Sequence, residues 1–257
     1  MKGLVVAGRY EVERELGRGG MGAVVAAHDR VTGARVAIKL GRAEDAARIA
    51  REAEIGARLT SPHAVRVAGR GDDPPFVVHE YLEGTTLERV IDEQGPIAPA
   101  RAVAIGLQIL DALAEIHQLG FVHRDVKPGT VFLVAGDHVN AKLLDVGLAT
   151  PAGSPGDDAG TAAFKAPEQA RGEPLDGRAD LYALGATLFR AVTGRHVFEP
   201  APIGAFFEAL MNAPRPGAGV DPGLDAIIAR ALAASRDDRF ASAKEFALDL
   251  ARWSADQ

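Results

Sequence analysis

The chain has 257 residues, of which 47% are hydrophobic and 25% charged, a composition that excludes an intrinsically disordered protein. It has no cysteine, which excludes a disulfide framework, thiolate zinc sites and a catalytic cysteine, and which fits a cytoplasmic protein. The formal net charge of −6 argues against nucleic-acid binding. The longest apolar stretch, residues 102–119, carries polar side chains and predicts a buried amphipathic helix, so we expect no membrane segment.

The first 81 residues are predicted to form mainly β-structure. Alternating and β-branched residues indicate five strands, at residues 10–13, 23–27, 35–40, 64–68 and 76–81. A charged segment with helical spacing predicts one helix over residues 44–59, which ends before Ser61-Pro62. Residues 69–75, between the last two strands, have the composition of a turn.

After residue 84 the periodicity becomes mainly helical. Six helices are predicted, over residues 86–93, 99–119, 178–193, 203–212, 222–234 and 242–253. Two apolar runs, residues 131–134 and 141–144, indicate a hairpin, and residues 149–165 form a long loop without periodicity. The pattern therefore predicts a small β-rich lobe and a larger helical lobe, with a ligand site in the crevice between them.

Three glycines between the first two predicted strands form the pattern Gly-x-Gly-x-x-Gly, at Gly17, Gly19 and Gly22. Taken alone, this pattern is more often a turn than a nucleotide site. A dinucleotide-binding fold requires the glycines to open a helix, with an acidic residue about 20 positions later. A protein kinase instead uses them in a strand–turn–strand flap over phosphates. Residues 23–27 continue as a strand, which favours the flap.

Lys39 lies near the end of the third predicted strand. On its own it would most simply be an edge-strand lysine that reaches into solvent. Beneath a glycine flap it could neutralise phosphate oxygens, and it would then need a carboxylate partner. Glu52 and Glu54 on the following helix are both candidates, although each could equally be an ordinary solvated charge.

The segment His123-Arg124-Asp125-Val126-Lys127-Pro128 follows the long helix and carries two groups suited to phosphoryl transfer. Asp125 can accept a proton from an incoming hydroxyl. Lys127 can meet the phosphoryl group in transfer. The alternative is a charged loop without a catalytic role, but this spacing of residue types rarely occurs by chance.

Two shorter motifs follow. Asp145-Val146-Gly147 comes after a predicted strand, and its aspartate is either a turn former or an oxygen ligand for Mg²⁺. Ala166-Pro167-Glu168 closes the long loop and carries almost no information alone.

Together and in this order, the five motifs resemble the catalytic domain of bacterial eukaryotic-like Ser/Thr protein kinases. The resemblance covers residues 9–253, and its further matches are residues 76–84 as a hinge, Gly160-Thr161, residues 180–185, and Arg239 as the partner of Glu168. It implies an α+β, bilobal protein-kinase-like fold with a small β-rich N-lobe, one main helix in that lobe, and a larger helical C-lobe. The implied division is a single domain, residues 1–257, with an N-lobe at 9–82, a C-lobe at 83–253 and a tail at 254–257.

The resemblance implies ATP-dependent transfer of phosphate to Ser and Thr hydroxyls of a protein substrate. The catalytic residues would be Asp125 as base, Lys127, and Lys39 held by Glu52. The nucleotide would be bound by Gly17, Gly19, Gly22, Val24, Ala37, Lys39, Glu80, Leu82 and Phe132. Mg²⁺, with Mn²⁺ as an alternative, would be held by Asp145 and Thr130. Lys127 and Thr161 point to Ser/Thr rather than Tyr specificity, and the Thr161 hydroxyl would tie the base to Lys127.

The sequence departs from the family pattern at four positions. Thr130 stands where the family has a metal-binding asparagine, so the second metal is expected to bind more weakly. Val146 replaces a phenylalanine that packs between the lobes, and Gly56 replaces a larger residue, so the regulatory stack of side chains is expected to be thin. His79 occupies the usually apolar gatekeeper position, where we expect a buried neutral histidine without a catalytic role. Two functions therefore stay open at this point: an active kinase with unusual metal use, and a pseudokinase that binds nucleotide or a partner.

The activation loop, residues 145–168, offers few sites for phosphorylation. Its hydroxyl-bearing residues are Thr150, Ser154 and Thr161. Ser154 is the main candidate, but Asp157 and Asp158 could pair with Arg124 and order the loop without modification. Regulation would come from a partner, from autophosphorylation or from the product of a neighbouring gene, and the sequence identifies neither the protein substrate nor the oligomeric state.

Overall fold

The computed structural model describes residues 2–19, 22–157, 159–198, 208–211 and 217–257. The chain divides into two compact units. The first consists of Met1–Thr60, Ala64–Glu83 and Asp145–Gly147, and the second of Ser61–His63, Gly84–Leu144 and Leu148–Gln257. The segment Asp145–Gly147 therefore belongs to the unit formed by the N-terminal part of the chain, although it is distant from that part in sequence.

The first unit is built on a six-stranded antiparallel sheet. Its strands are β1 (Val5–Val6), β2 (Tyr10–Gly19), β3 (Gly22–Asp29), β4 (Arg35–Leu40), β5 (Val67–Asp72) and β6 (Pro75–Glu80), in the order β1-β2-β3-β4-β6-β5. Helix α1 (Ala46–Gly56) follows β4 after a short 3₁₀ turn. It packs on the sheet through a small apolar cluster of Ile49, Ala53 and Val77, with Val67 against it. A second cluster, which includes Ile38 and Val78, forms the larger core of this unit.

One predicted strand of this unit is wrong. We expected a strand at residues 64–68 and a turn at 69–75, whereas β5 runs over Val67–Asp72 and pairs with β6. The two glycines in this segment gave it the composition of a turn. Gly71 is required inside the strand because a Cβ atom there would lie 2.2 Å from the Phe76 ring. A contact with the partner strand, which the local sequence does not reveal, therefore selects glycine at this position.

The second unit is mainly helical, as the periodicity predicted. Its helices are α2 (Leu87–Gln94), α3 (Pro99–Gln118), α4 (Pro167–Ala170), α5 (Arg178–Thr193), α6 (Pro222–Ala231) and α7 (Ala243–Ala255). The helix expected at residues 203–212 lies mostly outside the described residues; residues 208–211 are helical. Buried side chains such as Leu113, Ile116, Leu184 and Phe189 form the core around α3 and α5. None of the helices in the described ranges combines the length and apolar character that a membrane span requires.

Short strands flank the polar segment 123–127 of this unit. The predicted hairpin is confirmed as β9 (Val131–Val134) and β10 (Ala141–Leu143), with β7 (Gly84–Thr86) on its other edge. Strands β8 (Phe121–Val122) and β11 (Thr150–Pro151) form a separate pair. The polar segment 123–127 therefore lies between β8 and the β9–β10 hairpin in sequence, and its backbone is fixed at both ends.

Candidate active site

The first charged cluster is centred on Lys39 in β4. Its Nζ lies 2.8 Å from Glu52 Oε2 and 2.7 Å from Asp145 Oδ2. Of the two carboxylates considered on α1, Glu52 is buried and forms the ion pair, whereas Glu54 is exposed. Strand β4, helix α1 and the Asp145–Gly147 segment each contribute one charge, and all three belong to the first unit.

The two carboxylates keep Lys39 charged despite its burial. Burial alone would lower the pKa of the Lys39 ammonium, but the charges of Glu52 and Asp145 and their hydrogen bonds outweigh it and raise this pKa above its ordinary value. A cation with at most three N–H donors and two carboxylate partners can present the third N–H to a further anion. The cluster is therefore suited to contacting a phosphate.

Glu52 has a second partner that the sequence did not indicate. His79 Nε2 in β6 lies 3.0 Å from Glu52 Oε1, so each carboxylate oxygen meets a different side chain. We predicted a buried histidine at this position, and His79 is 8% exposed. The 27 residues that separate the two side chains explain why no local pattern revealed the contact.

The backbone of the Asp145–Gly147 segment is adapted to this cluster. Asp145 has φ of 61°, in the left-handed region that is uncommon for residues other than glycine. A Cβ atom on Gly147 would lie 3.0 Å from both Asp145 Oδ1 and Glu52 Oε2. Glycine at this position therefore allows the two carboxylates to approach Lys39 together. Val146, between them, is buried in the first unit.

The glycine motif joins β2 to β3, which agrees with a strand–turn–strand flap and not with the opening of a helix. Gly17 and Gly19 lie in β2 and Gly22 begins β3; residues 20–21 are outside the described residues. Gly22 has φ of 126°, and a Cβ atom there would lie 1.9 Å from the Leu40 carbonyl oxygen. This glycine is thus required by its conformation and by the close approach of β4.

Five other residues assigned to nucleotide binding are distributed over both units. Val24 and Ala37 on β3 and β4, and Glu80 and Leu82 at and after the end of β6, belong to the first unit, and Phe132 on β9 to the second. All five are partly buried. Their assignment to the nucleotide stays a prediction.

The second charged cluster lies in the second unit and contains Asp125, Lys127 and Thr161. Lys127 Nζ lies 2.9 Å from Asp125 Oδ2 and 2.6 Å from Thr161 Oγ1, and the Thr161 hydroxyl lies 3.1 Å from Asp125 Oδ1. The predicted tie between the base and Lys127 through Thr161 is therefore present. Gly160 precedes this threonine with φ of 92°, and a Cβ atom there would lie 2.8 Å from the Arg124 carbonyl oxygen.

Thr130 supports the same loop from its C-terminal side. Its hydroxyl donates to the Asp125 carbonyl oxygen at 2.8 Å and accepts the backbone N–H of Lys127 at 3.1 Å. A hydroxyl has one donor and two acceptor sites, so one lone pair stays available. Thr130 thus braces the loop that carries Asp125 and Lys127, while its role as a metal ligand stays a prediction.

Asp180 in α5 fixes the backbone just before Asp125. Its carboxylate accepts the N–H groups of His123 and Arg124, each at 2.8 Å, and the Nε2–H of His117, also at 2.8 Å. Complete burial would raise the pKa of Asp180, but the hydrogen bond and charge of His117 and the backbone bond outweigh it and lower this pKa. Sequence reasoning noted Asp180 but missed His117, which is 63 residues away.

Two arginines hold the activation loop. Arg124 forms an ion pair with Asp157, one of the two carboxylates that we expected in this role; Asp158 lies outside the described residues. Arg239 forms the predicted pair with Glu168, with N–O distances of 2.6 and 2.8 Å. Both members of the second pair are buried.

Gly56 in α1 leaves no gap in the described packing. A Cβ atom on it would lie 2.4 Å from Val67 Cγ2, so the Val67 side chain fills the space that a larger residue would take. The expected thinning of the side-chain stack at this position is therefore compensated by Val67.

The chain matches the family described as protein kinase domain over residues 10–213. It is 36% identical to a probable serine/threonine-protein kinase of Streptomyces coelicolor and 37% identical to the serine/threonine-protein kinase PknB of Mycolicibacterium smegmatis. Each alignment covers 95% of this chain but only 40% and 43% of the relatives, so the chain spans less than half of their length.

A solved structure is similar over nearly the whole chain. The kinase domain of Mycobacterium tuberculosis PknI, crystallised as a double mutant, has a TM-score of 0.78 and 29% identity, and the match covers 99% of this chain and 98% of that domain. The α+β protein kinase fold that the motifs implied is therefore confirmed.

Proposed function

Since the chain belongs to the protein kinase domain family, we propose that it transfers the γ-phosphoryl group of ATP to Ser and Thr hydroxyls of proteins. The observation that carries this proposal is the double pairing of Lys39 with Glu52 and Asp145. Phosphoryl transfer depends mainly on positioning and charge neutralisation, and this cluster supplies a fixed cation beside a carboxylate that can bind a metal.

The residues of the first unit fit ATP with a divalent cation. The described residues contain no group of three or more His, Cys, Asp or Glu side chains arranged for a metal. Mg²⁺ in nucleotide sites binds one or two carboxylates together with phosphates and water, and Asp145 offers a partly exposed carboxylate. Bound there, the metal would neutralise developing charge on the phosphate oxygens. We propose Mg²⁺, with Mn²⁺ as an alternative, and Thr130 as a weaker second ligand.

The residues of the second unit fit the acceptor hydroxyl. Asp125 would orient the hydroxyl of the protein substrate and accept its proton. Lys127 bonds both Asp125 and Thr161, so its ammonium is held beside the carboxylate that would receive the proton and would be available to the phosphoryl group. The glycine flap would thus exclude water, and the Lys39 ammonium would hold a phosphate. Asp125 would receive the proton.

No observation in the described residues favours the pseudokinase alternative. That alternative rested on Thr130 and Val146. Thr130 bonds the catalytic loop through its hydroxyl, and Val146 is buried. The relatives at 36% and 37% identity are named kinases, and the acidic and basic residues required for transfer are all present.

We also propose a cellular location and a substrate class for this activity. Both relatives are bacterial proteins, and ATP is a cytoplasmic metabolite, which supports a bacterial, cytoplasmic kinase. A protein substrate is proposed by analogy with the named activity of these relatives.

Mass spectrometry of a generic basic protein incubated with ATP and Mg²⁺ tests the proposal. We expect phosphate on Ser and Thr and none on Tyr. Lys39→Ala should reduce incorporation about 100-fold or more because it removes a preorganised charge. Lys244→Ala, which removes an exposed lysine in α7, should leave incorporation unchanged. Absence of phosphate with either metal, or equal incorporation by Lys39→Ala, would overturn the assignment.

A further inference from the structure

His79 and Lys39 lie on the same face of the sheet of the first unit. In the ladder between β4 and β6, Ala37 is opposite His79 and Lys39 is opposite Val77. Directly opposed residues and alternate residues along a strand share a face, so these four side chains project to one side. Val78 projects to the other side and belongs to the larger apolar core. Glu52 meets the shared face from α1.

The burial of Glu52 makes a second partner necessary. Glu52 is 1% exposed, and Lys39 bonds only its Oε2. A buried carboxylate oxygen without a donor costs free energy, because it loses water and gains nothing in return. His79 supplies the donor for Oε1.

The hydrogen-bond pattern assigns the proton of His79 to Nε2. A carboxylate can only accept, so Nε2 must donate to it. The buried Nδ1 has no hydrogen-bond partner among the described residues, so the bond from Nε2 to Glu52 is the one that fixes the orientation of the ring. This donor occupies Oε1 and leaves Oε2 to Lys39.

We propose that His79 is a positioning residue that holds Glu52 as a one-oxygen partner of Lys39 and so keeps one N–H of Lys39 free for a nucleotide phosphate. With Oε1 occupied, the ammonium donates once to Glu52 and once to Asp145. Without His79, Oε1 would turn to the same ammonium, and a carboxylate that takes two of the three N–H groups leaves none for phosphate. This role rests on the proposed kinase function, because it concerns the binding of ATP.

Side-chain length provides a sharp test. The glutamine amide nitrogen is as many bonds from Cβ as Nε2 of histidine, so His79→Gln should restore the donor to Glu52. His79→Asn places its amide nearer the backbone, and His79→Leu has no donor. Val78→Ala is the matched control, since it removes volume from the same strand on the opposite face.

The experiment measures the dissociation constant of ADP with Mg²⁺, together with kcat and KM for ATP, in the wild type and all four variants. His79→Leu and His79→Asn should weaken ADP binding and raise KM about tenfold, the lower end of the effect of removing a residue that orients a ligand. His79→Gln should stay close to the wild type. Val78→Ala should lower the melting temperature and leave ADP binding and KM unchanged.

Two readouts separate this role from the proposed function. If the wild type transfers no phosphate but the variants reproduce the predicted order of ADP affinities, the kinase assignment fails and the positioning role stands. If phosphate is transferred and His79→Leu binds ADP as the wild type does, the positioning role is overturned. It is also overturned if all four variants lose affinity in proportion to stability, which would make His79 a packing residue, or if the wild type binds no ADP.

Discussion

Arg124 and Asp157 form an ion pair in which the guanidinium is buried and the carboxylate is exposed, with side chains 4% and 57% exposed. Asp157 Oδ1 also accepts the N–H of Ala159 at 2.7 Å, a second contact within the activation loop. Arg124, which precedes Asp125, therefore has a carboxylate partner within the loop itself. A buried guanidinium needs such an anion, and here no phosphate is required to supply it.

We expect Asp157→Asn to lower the initial rate on a basic protein substrate about tenfold, since the change removes a charged hydrogen bond of about 1.5–3 kcal/mol. Ser154→Ala should retain most activity, because Ser154 fixes the loop through its backbone: its carbonyl accepts the N–H of Leu175 at 2.9 Å. Asp92→Asn is the matched control, because Asp92 is also 57% exposed and pairs with Arg190 away from the site. An inactive Ser154→Ala enzyme beside a fully active Asp157→Asn enzyme would show that phosphorylation orders the loop.

Thr130→Asn should lower the Mg²⁺ concentration needed for half-maximal activity about 10–100-fold, because the amide oxygen reaches farther than the hydroxyl. Thr130→Val is the informative companion. It removes the hydroxyl that braces Asp125 and Lys127, so it should lower both kcat and stability without improving metal affinity. Metal titration of initial rates measures both effects, and Mn²⁺ should support the wild type well. An unchanged metal dependence in Thr130→Asn would mean that the threonine is already an adequate ligand.

Most of the fold was predictable from the sequence because it rests on local signals. Thr86 caps α2 by accepting the N–H of Arg89, Gly194 ends α5 with φ of 70°, and Ser242 begins α7 by accepting the N–H of Glu245. The segment 64–75 was misassigned because one of its two glycines, Gly71, is set by a contact with Phe76 on the neighbouring strand. Propensity alone contains no information about that contact.

The residues of the candidate site also fall into two groups, those that local motifs revealed and those that depend on distant contacts. Lys39, Asp125, Lys127 and Asp145 lie in short motifs whose residue types and spacing carry the chemistry. The histidine partners of Glu52 and Asp180 could not be predicted, since each bond joins elements 27 or 63 residues apart. Such pairs depend on how helices and strands pack. The residues that flank a single histidine in the sequence do not reveal its distant hydrogen-bond partner.

Gly147→Ala should reduce activity more than stability. Its Cβ atom would press on Glu52 Oε2 and Asp145 Oδ1, each 3.0 Å away, and would separate the carboxylates that hold Lys39. We expect kcat/KM for ATP to fall at least tenfold, which corresponds to about 1.4 kcal/mol. Gly69→Ala is the control, because a Cβ atom there would meet its nearest neighbour at 3.6 Å, an ordinary contact. Equal kinetics in both alanine variants would contradict a steric role for Gly147.

The lowered pKa of Asp180 predicts that the free energy of unfolding decreases at acid pH. Its pKa is lower in the folded chain than the ordinary value near 3.8, so the unfolded chain binds more protons between these two values. The stability that Asp180 contributes is therefore fully present above about pH 4 and is lost as the pH falls through the lowered pKa.

Urea unfolding of the wild type and Asp180→Asn as a function of pH measures this contribution. The variant should be less stable by about 1–3 kcal/mol at neutral pH, since an NH2 donor replaces one of the two oxygens that accept the amides of His123 and Arg124. The difference should shrink below about pH 4. Asp256→Asn, an exposed substitution after α7, should follow the wild type throughout. A difference that stays constant down to low pH would exclude the ionised carboxylate as its source.

The initial rate of phosphate transfer by Asp125→Asn, compared with the wild type at saturating ATP and Mg²⁺, tests the kinase assignment most directly. Asparagine preserves the shape of the side chain but cannot accept the hydroxyl proton, so the rate should fall about 100-fold or more. ADP affinity should be retained, because the Lys39 cluster lies in the other unit and is unchanged. Equal rates in the two proteins, or no transfer by the wild type with either Mg²⁺ or Mn²⁺, would contradict the account.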